Sequence, residues 1–256
     1  MSQRVKLFGI EIDAVRMNEA VARVLSWKSN PTGSCQYVVT PNVDHTILLQ
    51  ENEGLREAYR NAGMILADGH PVVWASRLLR RPLPARVPGS DLVPSLFRSA
   101  KGYRALRVFL LGAAPGVAAR AGENIERRWP SVKVVGTYSP AIGFENDEPE
   151  NRRILDMVTE AQPDVLVVGL GAPKQELWVS KYQQQIQAPI ALCVGATIDF
   201  LAGEKKRAPV WLRRIGMEWV HRMLSEPKRL VKRYLRDAWI FPQLVWRELR
   251  STPTGT

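Results

Sequence analysis

The sequence predicts a doubly wound α/β fold: a Rossmann-like, mostly parallel sheet with helices on both faces, followed by a basic helical appendage. Three observations carry it. Residues 164–176, Asp-Val-Leu-Val-Val-Gly-Leu-Gly-Ala-Pro-Lys-Gln-Glu, form a short run apolar on both faces. The run breaks at two glycines and a proline and then turns amphipathic, as a buried strand feeding a helix does. The same alternation of strand-like and helix-like segments recurs with short connections from residue 35 to residue 203. After Gly203 it stops, and residues 204–250 hold 13 Lys/Arg against 5 Asp/Glu, so +8 of the net +11 lies there with four of the eight tryptophans.

Taken in order, residues 5–15 alternate with period 2, as an opening strand or hairpin does. An amphipathic helix is predicted over 17–28, with Val21, Val24 and Leu25 on one face, and a loop over 30–34. A strand at 35–40 leads to a helix over about 44–61. The next strand, 63–67, ends at Asp68-Gly-His-Pro71 and feeds a helix over 72–80. A loop rich in proline and positive charge, 81–90, closes with Ser90 as N-cap of a helix over 91–100. The second half is more regular: strands at 107–111, 133–137, 165–170 and 190–194, helices at 115–128, 150–161 and 173–185. Pro173 fits a first helical turn. Two basic helices, 209–224 and 228–240, complete the chain. The domain reading is therefore a core, 1–203, and an appendage, 204–256.

Composition narrows the class. A chain of 256 residues with 45% hydrophobic content buries one large core or two small ones. Nothing near Met1 resembles a signal peptide, and no apolar run approaches a transmembrane span of about 18 residues. Cys35 and Cys193 sit in apolar strand-like runs, which suits buried free thiols in a reducing cytoplasm.

The ligand is narrowed by what fails. Residues 108–116 read strand, glycine turn, helix start, but the spacing is Gly-x-x-x-Gly, and the next strand ends at Gly136-Thr-Tyr138 without the acidic residue a ribose would need. There is no Walker lysine, no Gly-x-Ser-x-Gly and no Cys/His set with zinc spacing. With no Asp-x-Asp pair either, a bound nucleotide would be neutralised by protein cations, so no metal and no cofactor is expected. Three polar clusters fall at predicted strand ends: Thr40-Pro-Asn-Val-Asp44, Asp68-Gly-His70 and Gly195-Ala-Thr-Ile-Asp199. Singly they read equally well as helix caps and turns. Together they converge on one edge of the sheet.

At these residues the chain resembles a known family, the WecG/TagA/CpsF glycosyltransferases. The match comprises Thr40-Pro-Asn42, Ala67-Asp-Gly69, Arg86-Val-Pro-Gly-Ser-Asp91, Gly171-Ala-Pro-Lys-Gln-Glu176 and Gly195-Ala-Thr-Ile-Asp-Phe-Leu-Ala-Gly203, and continues through Arg207-Ala-Pro209, Glu218-Trp219 and Glu226-Pro227. Gly195-Ala196 stands where the family pattern suggests Gly-Gly. The resemblance implies transfer of a sugar from a UDP-sugar to a polyprenyl-diphosphate-linked acceptor in bacterial surface-polysaccharide synthesis, by single displacement with inversion. It makes Asp68 the general base, a role its place at a strand end also fits. Thr40 and Asn42 would bond sugar hydroxyls or a diphosphate, Arg86 a phosphate, and Gln175 would orient the sugar. Gly112, Gly136, Tyr138, Gly169, Gly171 and Asp199 would shape the uridine pocket.

In the appendage, Leu212, Ile215, Trp219 and Met223 fall on one helical face, while Arg229, Lys232, Arg233 and Arg236 form a basic stripe on the next helix. The bland reading is a solvated charged face. The sharper one has the segment docking on an anionic membrane, on the inner face of the cytoplasmic membrane, and closing over the site, with Arg222, Arg229 and Lys232 contacting phosphate. Homo-oligomerisation is left open by the sequence. Two other classes compete. A nucleic-acid-binding protein would use the basic Trp-rich helices, and a nucleotide-sensing module would keep the glycine turns, but neither needs Asp68; no nucleic-acid partner is expected.

Overall fold

The computed structural model describes residues 3–29, 33–100 and 104–251. An antiparallel hairpin, β1 (Arg4–Leu7) and β2 (Ile10–Asp13), opens the chain and is followed by α1 (Met17–Ser29). Then come β3 (Gln36–Val39), α2 (Val43–Glu51), α3 (Glu53–Arg60), β4 (Met64–Ile65), α4 (His70–Leu78) and α5 (Gly89–Ser99). The second half runs β5 (Leu106–Gly112), α6 (Val117–Arg128), β6 (Val132–Tyr138), α7 (Glu148–Ala161), β7 (Val165–Gly169), α8 (Lys174–Tyr182), β8 (Ile190–Cys193) and α9 (Thr197–Ala202). Three helices close the chain: α10 (Val210–Arg214), α11 (Glu218–Ser225) and α12 (Pro227–Ser251).

Strands β3 to β8 form one parallel sheet in the order β4-β3-β8-β7-β5-β6. The apolar runs are continuous because both faces are covered. Val165 and Val167 of β7, with Ile190 and Leu192 of β8, enter the layer packed by α1, α5, α6 and α9. Their alternates, Leu166, Val168, Ala191 and Cys193, enter the layer packed by α2, α3, α4, α7, α8 and the hairpin. Cys35 and Cys193 are free and buried, and burial pushes the Cys35 thiol up to about 12.

Parallel strands put every carboxyl end on one edge, where the backbones approach too closely for side chains. A Cβ on Gly112 (φ +117°) would lie 2.5 Å from the Gly169 carbonyl oxygen, and one on Gly169 would lie 2.8 Å from that of Gly195. The turn glycines of β5, β7 and the β8–α9 loop therefore stack on one another at this edge.

Several boundaries depart from the sequence reading. The helix expected over 44–61 is two, because Asn52 ends α2 and caps α3, accepting from the Leu55 N–H at 2.8 Å. Ser90 caps nothing: α5 begins at Gly89 behind Pro88. Pro173 stands at the N-cap of α8, one position before the helix. The short α9 was not expected. The helix predicted over 209–224 breaks at Gly216, whose φ of +82° a helix cannot hold, and a Cβ there would press on Trp74 and His70 at 3.0 and 3.1 Å. Most of the predicted loop at 30–34 lies outside the described residues.

The last helix runs on to Ser251 through Pro242, a residue that removes a backbone donor. Tertiary packing overrides that cost. Leu244 and Val245 are buried in the main core, Phe241 meets the Phe8 ring at 5.4 Å, and Glu248 pairs with Arg81 at 3.0 Å. Asp44 at the start of α2 pairs with Arg233 (3.5 Å) and Arg236. Residues 204–251 are thus packed against the core rather than strung out behind it.

Candidate active site

A cavity of about 400 Å³ opens at the carboxyl ends of β3, β4 and β8 and is walled on its outer side by α11 and α12. That is where an open α/β sheet takes its ligand, and the volume suits a small molecule. Thr40, Asn42, Asp68, Arg86, Gly171, Gln175 and Arg222 all line it. The three strand-end clusters, scattered over more than 150 residues of sequence, meet here.

Each side chain is set by its local fold. The Thr40 hydroxyl donates to the Cys193 carbonyl at 3.3 Å, bridging β3 and β8. Asn42 caps α2: its side-chain oxygen accepts from the His45 N–H at 3.2 Å, which leaves the amide NH₂ for a ligand. Gln175 is buried, donating to Glu176 Oε1 at 2.7 Å and accepting from the Gly195 N–H at 3.1 Å. It lines the cavity with its amide already engaged, and so fixes the β8–α9 loop.

Asp68 follows β4, its backbone N–H donating to the Pro41 carbonyl at 2.8 Å. Its carboxylate accepts no hydrogen bond among the described residues. Burial raises its pKa from 3.8 to about 6; Arg86 opposes this, Glu218 reinforces it, and Arg222 and His45 oppose it. Arg86 stands beside it because the neighbouring Val87 N–H binds the Ala67 carbonyl at 2.8 Å, stitching the proline-rich loop to the β4 end. Around Arg86 lies a network of arginines and carboxylates. Glu218 contacts Arg86 (3.1 Å) and Arg207 (3.7 Å), while Asp91 contacts Arg207 (2.6 Å), Arg213 (3.5 Å) and Arg86 (3.6 Å). The Nε and Nη2 of Arg207 are buried without a hydrogen-bond partner among the described residues. His70 also borders the cavity, its ring 5.8 Å from that of Trp74, and burial holds its pKa below the ordinary value, with Arg86 adding to the effect.

Other expected positions are not brought to the cavity. Gly112 and Gly169 serve the close backbone approach at the strand tips, Gly136 makes room for the Phe109 ring, and the Tyr138 hydroxyl bonds Glu150. Asp199 lies in α9, its backbone oxygen accepting from Glu204 and Lys205. None of these five lines the cavity. Of the three cations chosen from the appendage, only Arg222 does; Lys232 is exposed on α12 and is absent from the lining, and the Arg229 side chain lies outside the described residues. The neighbouring Arg233 faces inward instead, with Tyr234 and Asp237. The residues missed were Glu218, Trp219, Arg233, Tyr234, Asp237 and His45. The Glu218-Trp219 pair was visible as a motif, but only the fold shows that it faces Asp68.

Among the described residues no group of three or more His, Cys, Asp or Glu is placed to hold a metal ion, and no helix is long and apolar enough to cross a membrane.

This geometry coincides with a family match over residues 5–254, to the glycosyl transferase WecG/TagA/CpsF family. The chain belongs to that family. Two similar proteins, from Staphylococcus aureus strains MW2 and NCTC 8325 / PS 47, are each named N-acetylglucosaminyldiphosphoundecaprenol N-acetyl-beta-D-mannosaminyltransferase. Each is 30% identical over 227 residues, covering 89% of this chain and 87% of the relative. For a WecG/TagA/CpsF glycosyltransferase, a carboxylate that shares a cavity with arginines and accepts no hydrogen bond among the described residues has a direct chemical use. A carboxylate accepts a proton from a hydroxyl nucleophile, and guanidinium groups stabilise a departing phosphate.

Proposed function

We propose that the chain transfers a sugar from a UDP-sugar to a saccharide carried on a polyprenyl diphosphate, by a single inverting displacement without a metal ion, in the synthesis of a bacterial surface polysaccharide. The observation that carries this reading is the Asp68 carboxylate, which accepts no hydrogen bond among the described residues and shares the cavity with Arg86 and Arg222, both of which act on its charge. The names of the staphylococcal relatives support a lipid-linked N-acetylglucosaminyl diphosphate as the acceptor and an N-acetylhexosamine as the donor sugar.

In this mechanism Asp68 takes the proton of the acceptor hydroxyl as that oxygen bonds to the anomeric carbon. The bond from this carbon to the diphosphate breaks on the opposite face, and its electron pair leaves with UDP. A pKa near 6 makes Asp68 a stronger base than an ordinary carboxylate while leaving it ionised at neutral pH. Arg86 and Arg222 neutralise the departing diphosphate, the work a divalent cation does in other transferases. The nucleoside runs from Gly171 towards the tips of β5 and β7. Thr40 and Asn42 hold hydroxyl or phosphate oxygens beside the base.

The appendage supplies the second half of the proposal. Trp211, Leu235, Trp239, Trp246 and Leu249 are exposed on helices that carry an excess of arginine and lysine, a composition suited to peripheral docking on the anionic inner face of the cytoplasmic membrane. Serine at both Trp239 and Trp246 should weaken sedimentation with anionic vesicles while sparing UDP binding; undiminished sedimentation would reject the docking role. For the reaction, UDP release is measured over a panel of UDP-sugars with a lipid-diphosphate saccharide, with and without EDTA. Turnover unaffected by EDTA is the expected result. Loss of turnover in EDTA with rescue by Mn²⁺ would overturn the arginine-based site.

A further inference from the structure

The cavity is chemically uneven. Near Asp68 it is lined by Arg86 and Arg222, whereas the wall built by α12 and the start of α2 presents Asp44, Arg233, Tyr234 and Asp237. The two carboxylates are matched by two guanidiniums, Arg233 in the lining and Arg236, which contacts both Asp44 and Asp237 from outside it. A wall of balanced charge has no advantage for a diphosphate. It suits a polyol, because each sugar hydroxyl donates one hydrogen bond, to a carboxylate, and accepts another, from a guanidinium.

The wall also has unused hydrogen-bonding capacity. Arg233 Nε is buried without a hydrogen-bond partner among the described residues, and its Nη1 reaches Asp44 only at 3.5 Å. Asp237 is 4% exposed and contacts Arg236 at 3.3 Å. Burial raises the pKa of Asp237, and the nearby Asp44 adds to it, so its charged form lacks full compensation. Beside these groups the rings of Trp219 and Tyr234 meet edge to face, centroids 6.0 Å apart, and both line the cavity, offering apolar surface to the C–H side of a pyranose.

We propose that Asp44, Arg233, Tyr234 and Asp237 form a saccharide subsite that binds the sugar of the lipid-linked acceptor. This rests on the transferase reading above and adds which wall holds which substrate. The acceptor, rather than the donor, is assigned here because α12 serves both ends of the same molecule. One side of the helix lines the cavity through Asp237 and Ala238. Other positions on it leave Leu235, Trp239 and Trp246 in solvent, Trp239 to 75%. A substrate whose lipid lies against the exposed face carries its sugar to the inner one. The arginine end is then left to the UDP of the donor.

The test uses the full-length protein with Asp237→Asn and, separately, Ala238→Leu, which fills the subsite from an exposed position without altering charge. Steady-state constants are measured for a lipid-diphosphate saccharide and for the UDP-sugar that supports turnover, and UDP affinity by calorimetry. In both variants KM for the acceptor should rise at least tenfold, with KM for the donor and the affinity for UDP within about twofold of wild type. Retained UDP binding also reports that a variant is folded; if Asp237→Asn is not, Ala238→Leu decides alone. An unchanged acceptor KM, or a change confined to the donor, would overturn the subsite while wild-type transfer upholds the reaction. Absence of transfer by the wild type would instead overturn the transferase reading itself.

Discussion

Replacing Asp68 by Asn should make the protein more stable and almost inactive, with the stability gain following pH. The folded carboxyl has a pKa of about 6 against 3.8 ordinarily, so the native state holds the proton more tightly than the unfolded chain does. Ionising Asp68 therefore costs native stability: nothing below about pH 4, and the full amount above about pH 6. At about 1.4 kcal/mol per pKa unit, roughly two units give about 3 kcal/mol at pH 8, and about half of that at pH 5. Asparagine keeps the size and removes the charge, so it removes the cost. For a chain of this length 1 kcal/mol corresponds to about 2–4 °C in Tm, which makes the gain on the order of 10 °C at pH 8. Thermal unfolding of wild type and variant, followed by circular dichroism from pH 5 to pH 8.5, reads the difference directly. Turnover in the same variant should fall about 10²–10⁴-fold, with UDP affinity little changed. A gain that does not vary with pH, or a loss of stability throughout, would show that the Asp68 carboxylate carries no such penalty. The argument for its enhanced basicity would go with it.

Glu218→Gln removes a negative charge that raises the Asp68 pKa. The acid limb of the wild-type profile of kcat/KM, expected near pH 6, should move to lower pH in the variant; a limb that stays put would separate it from Asp68. Gly112→Ala places a Cβ 2.5 Å from the Gly169 carbonyl oxygen in a left-handed conformation, and should cost about 1–3 kcal/mol or more, read as a lower urea midpoint. An unchanged midpoint would mean that the strand tips can part without penalty.

The core was legible because its signal is local. An apolar run such as 165–168 needs cover on both faces whatever the rest of the chain does, and the glycines that follow it mark a turn where backbones crowd. Polar residues at the ends of parallel strands then share an edge by topology alone, so Thr40, Asn42, Asp68 and Gln175 came together as expected. Of the expected uridine-pocket residues only Gly171 lines the cavity, and the others stand outside it for a related reason. A glycine at a strand tip looks the same in sequence whether it admits a ligand or another backbone, and Gly112 and Gly136 admit protein. The appendage was least legible. Its stripe of Arg229, Lys232, Arg233 and Arg236 shows that α12 has a basic side, but adjacent residues of a helix point about 100° apart, and only the partner surface decides which of Lys232 and Arg233 faces inward. That surface includes Asp44, 192 residues from Arg236 in sequence. The run of α12 past 240 and through Pro242 was hidden for the same reason, because the cost of a proline is local while the packing of Leu244 and Val245 that offsets it is not.

The chemistry of Asp68 is accordingly not a property of the α/β core alone. The core supplies the carboxylate and Arg86, and desolvation within the cavity raises the carboxyl pKa. The appendage supplies Glu218, which raises that pKa further and ties up Arg86 at 3.1 Å, and Arg222, which lowers it. The carboxylates of the network also have a structural task. Asp91 and Glu218 hold Arg86, Arg207 and Arg213 within a few ångströms of one another, a density of positive charge that would otherwise push the segments apart. In the proposed reaction, a cluster held this way would be arranged before any anion arrives, so little reorganisation would remain when negative charge develops on a leaving group. The charges around Asp68 thus come from both ends of the chain, Arg86 from the core and Glu218 and Arg222 from the appendage, and the contacts that fasten α11 and α12 to the core are the ones that fix the electrostatics of the site.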